Sequence, residues 1–256
     1  MNRITIKSKD IIIKNNDKSK PLEDYIINDK THNIYIVLDG VTRSRNNGKY
    51  SIPSPSKIVT KKFGLSVHKM LKIFKNRYLP KQALFMSIKY ANEKIGEYNL
   101  KHNFDFLPGT VGIISFIKND TFYYMYLGDC SGRIIRTKKS KLFTHSQTEL
   151  INKNKNNFTT YEIRNIICNN KKHPFGYGVF NGQKGALEFL QFGHIKLKQN
   201  DNILLYSDGF DNLLNNNQTI WKEPINIKSL ANKANEIDKV NKLKSDDKAL
   251  ISIEVK

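Results

Sequence analysis

The chain has 256 residues, 39% of them hydrophobic and 11% aromatic, with 43 Lys and Arg against 23 Asp and Glu for a formal net charge of +20. That is apolar material for one substantial core, so a single domain over 1–256 is expected, while apolar runs as short as 11–13 fall far below the ~20 residues of a bilayer span and predict no membrane association. Cys130 and Cys168 lie far apart and match neither a CxxC pair nor a zinc-ligand spacing, which argues against a disulfide framework and for two reduced, buried thiols in a soluble, cytoplasmic protein.

The positive excess could draw nucleic acid or an acidic partner through its long-range field. Its distribution points elsewhere: lysines run singly and in pairs along the whole chain among asparagines, as in 152–157, and no basic-aromatic motif of a known nucleic-acid module accompanies them. Lys and Asn share A-rich codons, so base composition accounts for the bias, and no nucleic-acid partner is expected.

In chain order, β-branched runs predict short strands at 4–6, 11–13, 25–27 and 34–38, the last running into Asp39-Gly40. Ser54-Pro55-Ser56 has the form of a helix start. Phe63, Val67, Met70, Leu71, Phe74 and Tyr78 then recur at helical spacing, and after Pro80 a second helix carries Leu84, Ile88, Ala91, Ile95 and Tyr98 on one face. Strands follow at 110–117 and 122–127, joined by an Asn119-Asp120 hairpin turn, and at 132–136. The polar stretch 146–170 reads as loop with room for short helices. Strands are expected again at 187–192 and 203–206, a helix over 227–244, and a final strand over 249–255. Gly176-Tyr177-Gly178 lacks the setting of a dinucleotide loop and is read as part of a flexible flap. Strands, a helix pair, more strands, a late helix and a last strand do not alternate as βαβ units do, so the fold class is α+β with mostly antiparallel sheets and helices on their outer faces.

Several of these strands end on acids. Val37-Leu38-Asp39-Gly40, Leu205-Tyr206-Ser207-Asp208-Gly209 and Ser245-Asp246-Asp247 share this design, and Glu23-Asp24 precedes the strand at 25–27. Any one Asp-Gly is a common turn dipeptide. In a chain poor in acids, the repeated placement points to a need for negative charge at one place, and hard divalent cations take such oxygen ligands. Two such ions held close together suit hydrolysis of a phosphate ester. Other chemistries find little support: the six histidines are scattered without an HExxH spacing, and no G-x-S-x-G elbow surrounds Ser207.

The ordered series Leu22-Glu23-Asp24-Tyr25, Val37-Leu38-Asp39-Gly40, Gly109-Thr110, Leu127-Gly128-Asp129-Cys130, Leu204 to Gly209 and Asp246-Asp247 resembles the motif set of the type 2C metal-dependent protein phosphatases, in a bacterial-like form. The hairpin region from Gly128 to Ser146 is similar too. The resemblance implies a four-layer α-β-β-α sandwich of two mostly antiparallel sheets flanked by helix pairs. It also implies removal of phosphate from phosphoserine and phosphothreonine by a water held between two Mn²⁺ or Mg²⁺ ions, with a weaker third ion. Carried over by position, Asp39 and Asp208 are the central catalytic carboxylates. Asp39, the Gly40 carbonyl, Asp208 and Asp246 bind metal, Glu23 and Asp24 act through metal-bound water, and Asp129 serves the third ion. The implied partner is a phosphoprotein, met by a monomer.

The chain departs from this pattern where the substrate phosphate would be gripped. Lys18, Ser19 and Lys20 stand where the family often has an arginine, and Val41-Thr42-Arg43 replaces a His-Gly-Gly or Met-Gly-Gly. Substrate binding is therefore expected from Lys18, Lys20 and Arg43, with Arg45 nearby, although lysine lacks arginine's bidentate fork. Cys130 and Asp247 stand for a usual Ser and Asn. These changes leave a second reading open, a catalytically weak or inactive relative that binds phosphoproteins.

Overall fold

The computed structural model describes residues 4–17, 19–41, 50–215, 220–221, 225–241 and 246–256. Within them the chain forms β1 (Ile6–Ile13), β2 (Tyr25–Asp29), β3 (Ile34–Val41), α1 (Pro55–Phe74), α2 (Pro80–His102), β4 (Gly109–Lys118), β5 (Thr121–Leu127), β6 (Ser131–Arg136), β7 (Lys139–Leu142), α3 (Glu149–Asn154), β8 (Gln191–Lys196), β9 (Asn202–Tyr206), α4 (Asp211–Leu214), α5 (Ile227–Val240) and β10 (Lys248–Val255). The strands make two five-stranded sheets, ordered β1-β10-β9-β6-β7 and β2-β3-β4-β5-β8, and every neighbouring pair is antiparallel.

The side-chain period of two assigns each face of these sheets. Ile203, Leu205, Ile251 and Ile253 join Val37 and Ile113 in one core, so the sheets pack face to face. Leu204, Tyr206 and Leu250 point the other way and meet Leu213, Leu214, Leu230, Ala231 and Ala234 of α4 and α5 in a second core. On the far side α1 and α2 cover the other sheet, with Val59, Phe63, Val67, Leu71, Leu84, Ile88 and Ile95 all buried. β3 and β4 are covered on both faces, which is why their sequences are nearly continuous apolar runs. The result is the expected α+β sandwich in four layers, although α4 is a single turn and the second helix layer is uneven.

Ser54 caps α1, its hydroxyl accepting from the Lys57 amide at 3.0 Å, and Pro55 and Pro80 open α1 and α2 at positions that need no amide hydrogen. Asn119 and Asp120 turn β4 into β5 with φ of 50° and 54°, the left-handed pair a tight hairpin requires.

Several expectations change. The predicted strands at 4–6 and 11–13 become one strand, β1, which begins at Ile6, because pairing with β10 carries through the polar residues between Ile6 and Ile11. Asp39 and Gly40 lie inside β3, held in register opposite Val111 and Thr110, and do not follow it. The strand expected at 187–192 begins only at Gln191. Residues Lys184–Phe189 form 3₁₀ turns that bury Ala186 and Phe189, and the strand pairing with β5 falls on the more polar Gln191–Lys196. The turn before β7 uses Thr137 and Lys138 at φ of 50° and 62°, residue types that gave no turn signal. Tyr78 lies beyond α1 and is exposed. Gly176-Tyr177-Gly178 is packed in place, with Tyr177 buried and its hydroxyl donating to the Ile163 carbonyl at 3.1 Å. The helix expected over 227–244 stops at Val240, with Asn241 as its cap, and 242–244 lie outside the described residues.

Candidate active site

Antiparallel pairing brings five acid-bearing segments to one end of the sandwich. The start of β2 lies beside the end of β3, with Tyr25 opposite Leu38, so Glu23 and Asp24 sit next to Asp39 and Gly40. In the facing sheet the end of β9 meets the start of β10, the Ser207 amide donating to the Ala249 carbonyl at 3.0 Å, which puts Asp208 near Asp246 and Asp247. Asp129 lies in the link from β5 to β6, whose first residue pairs with Tyr206.

Two kinds of contact fix these segments. One is close packing at glycine: a Cβ on Gly40 would stand 2.7 Å from Glu23 Cβ and 2.8 Å from the Glu23 carbonyl, and Gly128 sits at φ 92° against Val111. Gly209 likewise lies directly against the Asp247 carbonyl. The other is a set of buried hydrogen bonds. Thr110 Oγ1 donates to the Asp39 carbonyl at 2.7 Å, Ser207 Oγ to Asp24 Oδ2 at 2.7 Å, and Thr148 Oγ1 to Asp129 Oδ2 at 2.9 Å. Asp247 takes the Asn15 amide and side chain on Oδ1, at 2.9 and 2.7 Å, and the Glu23 amide on Oδ2 at 2.8 Å. Glu23 accepts from the Ser54 hydroxyl, which ties the site to the start of α1. Glu23, Asp24 and Asp247 are buried behind the site, while Asp39, Asp129, Asp208 and Asp246 are partly open to it.

The electrostatics are those of crowded like charges. Burial, then repulsion from Asp24, Asp208, Asp129 and Asp246, pushes the Asp39 carboxyl well above the usual carboxylate range. Asp208 is raised well above it for the same reasons, and Asp129 is raised chiefly by burial. Burial lifts Asp24 to about 8 against the opposing hydrogen bond from Ser207. Asp211, which the sequence did not single out, is raised to about 6 by burial and by Asp129. An oxygen-only donor set with this surplus of negative charge fits a hard divalent cation. Among the described residues no three acidic, histidine or cysteine side chains are already gathered around one point, so closing on an ion takes rotation of side chains on their fixed backbone.

The acids floor a cleft of about 530 Å³ lined also by Lys20, Tyr50, Thr148, Asn152, Lys155, Arg164 and Tyr177. Of the expected phosphate-gripping residues, Lys18 and Arg43, with Arg45, lie outside the described residues. Lys20 reaches the cleft but ion-pairs with Asp246. Lys155 and Arg164 were missed, because they sit in the polar 146–170 stretch where nothing in the local pattern separates them from other basic residues. Cys130 is buried beside the acids, and burial pushes its thiol up.

No family model matches the sequence, and no curated protein sequence matches it. The fold does have counterparts among solved structures. The Mycobacterium tuberculosis serine/threonine phosphatase PstP/Ppp superposes with a TM-score of 0.71 at 13% identity, over 97% of this chain and 98% of that one. The fold is that of the bacterial serine/threonine phosphatases. The S. agalactiae serine/threonine phosphatase gives a TM-score of 0.69 at 17% identity over 98% of this chain and 100% of that one. The PstP catalytic domain in complex with two manganese ions gives 0.69 at 13% identity over 99% of each. This phosphatase fold therefore spans nearly the whole chain.

Proposed function

We propose that the chain is a metal-dependent serine/threonine protein phosphatase whose single catalytic domain spans 1–256. The observation that carries this reading is the meeting of Asp39, Asp129, Asp208 and Asp246 at one cleft of a phosphatase fold, with Glu23, Asp24 and Asp247 buried behind them. Asp39, the Gly40 carbonyl, Asp208 and Asp246 would hold two Mn²⁺ or Mg²⁺ ions, with Glu23 and Asp24 in the water shell and Asp129 serving a weaker third. Bound there, the ions supply an activated water and neutralise charge on a phosphoryl group.

The rest falls to the protein's own groups. Thr110 fixes the backbone of Asp39, and Ser207 fixes the Asp24 carboxylate. Lys155 and Arg164 on the cleft wall orient the phosphate, the guanidinium by two parallel hydrogen bonds. No histidine lines the described cleft, so solvent entering the open cleft protonates the serine or threonine leaving oxygen.

The test is hydrolysis of p-nitrophenyl phosphate and a phosphothreonine peptide with Mn²⁺, Mg²⁺ or EDTA. Turnover should require the ion, and Asp39→Asn or Asp208→Asn should lower kcat by at least about 100-fold, the scale of losing central electrostatic stabilisation. Ion-independent turnover, or full activity in both variants, removes the reading.

A further inference from the structure

We infer that Lys20 is an internal counter-cation of the acidic cleft, which a divalent ion must displace from Asp246. The inference rests on the metal-dependent reading above and adds a competitor for one of its ligands. Lys20 is only 6% exposed, a burial at which an ammonium needs an anionic partner. Its Nζ donates to Asp246 Oδ1, the same oxygen that accepts the Asp247 amide at 2.9 Å. The Asp246 side chain is 41% exposed and lines the cleft, so an ion entering there can approach the carboxylate that Lys20 holds.

A lysine ammonium is a compact point charge on a flexible stem with three donors. Beside Asp246 it offsets part of the carboxylate repulsion when no ion is bound. A divalent cation on the same carboxylate would stand a few ångströms from the ammonium, and two positive charges at that range repel strongly in a partly buried site. Binding at Asp246 thus expels the Lys20 head group. Lys20 lines the cleft, so the released ammonium can turn to the phosphate of a bound substrate. Expected from sequence as a substrate-binding residue, it gains that role only after leaving Asp246.

The experiment follows Mn²⁺ binding to the full chain by calorimetry and by the electron paramagnetic resonance of the bound ion, in wild type, Lys20→Met and Lys20→Arg. Lys20→Met should tighten the weaker class of Mn²⁺ sites by at least about tenfold, while Lys20→Arg stays near wild type. A second measurement needs no variant: reductive methylation of wild type, read by mass spectrometry at Lys20, should quicken several-fold when Mn²⁺ is added. Unchanged or weaker Mn²⁺ binding in Lys20→Met, or Lys20 reactivity indifferent to Mn²⁺, overturns the inference and leaves the phosphatase reading standing. If no variant binds Mn²⁺, the metal-dependent reading falls and takes this inference with it.

Discussion

Gly40 shows how little space separates the segments that carry the acids. A methyl group there would meet Glu23 at 2.7 Å and Thr60 Oγ1 at 2.9 Å, and the Glu23 contacts include backbone. Gly40→Ala should therefore cost about 2 kcal/mol, the usual scale of overpacking, and weaken Mn²⁺ binding because Glu23 is pushed away from Asp39. Chemical denaturation and calorimetry would check both effects; unchanged stability would mean that the β2 entry can shift freely. Lys155 and Arg164 are a different case, since they stand on the cleft wall and outside the cores. Replacing both with Ala should raise KM for a phosphopeptide by about tenfold with a smaller change in kcat, as expected for groups that bind ground state and transition state alike. Steady-state kinetics on acidic and neutral phosphopeptides would read it, and the loss should be larger for the acidic one.

Between elements, Asp29 pins the end of β2 to α1. One carboxylate oxygen takes His32 Nδ1 at 2.8 Å and His68 Nε2 at 2.7 Å, and the other accepts the His32 amide at 3.0 Å. Burial alone would raise this acid, but the hydrogen bonds from His68 and His32 outweigh it and lower it from 3.8 to about 2. A depressed acid adds stability above its unfolded value and loses it as pH falls through its folded value. Asp29→Asn should thus melt several degrees below wild type near neutral pH, with the gap closing as pH drops from about 4 to about 2. Melting curves across that range decide it, and a constant gap would mean the asparagine fails for reasons of shape. Asp238 and Lys248 join α5 to β10 in the same manner, 4% and 1% exposed and paired at 2.6 Å, and Lys248 also reaches the Asp246 carbonyl at 3.3 Å. Asp29 and His68 stand 39 positions apart, and no local pattern announces either this pair or Asp238 with Lys248.

For the molecule as a whole, folding forces together acids that repel one another, and this sets how it responds to ions. Mn²⁺ at about 100 times its dissociation constant should stabilise the native state by about 2.7 kcal/mol and raise Tm by roughly 5–10 °C, an effect EDTA reverses. Differential scanning calorimetry would show it; no shift would mean that the carboxylates do not gather an ion. No described helix is long and apolar enough to cross a membrane. The sequence by itself determined the β-branched runs that become most of the strands, the Ser54-Pro55 and Pro80 starts of α1 and α2, and the acids near the strands, because each is written in local periodicity or in a short string of neighbours. Only the tertiary structure decided that these acids share one cleft, that Lys155 and Arg164 face them, and that Lys20 is held on Asp246. Those relations join residues up to 226 positions apart, as from Lys20 to Asp246, and they exist only once strand pairing has fixed which ends of the two sheets coincide.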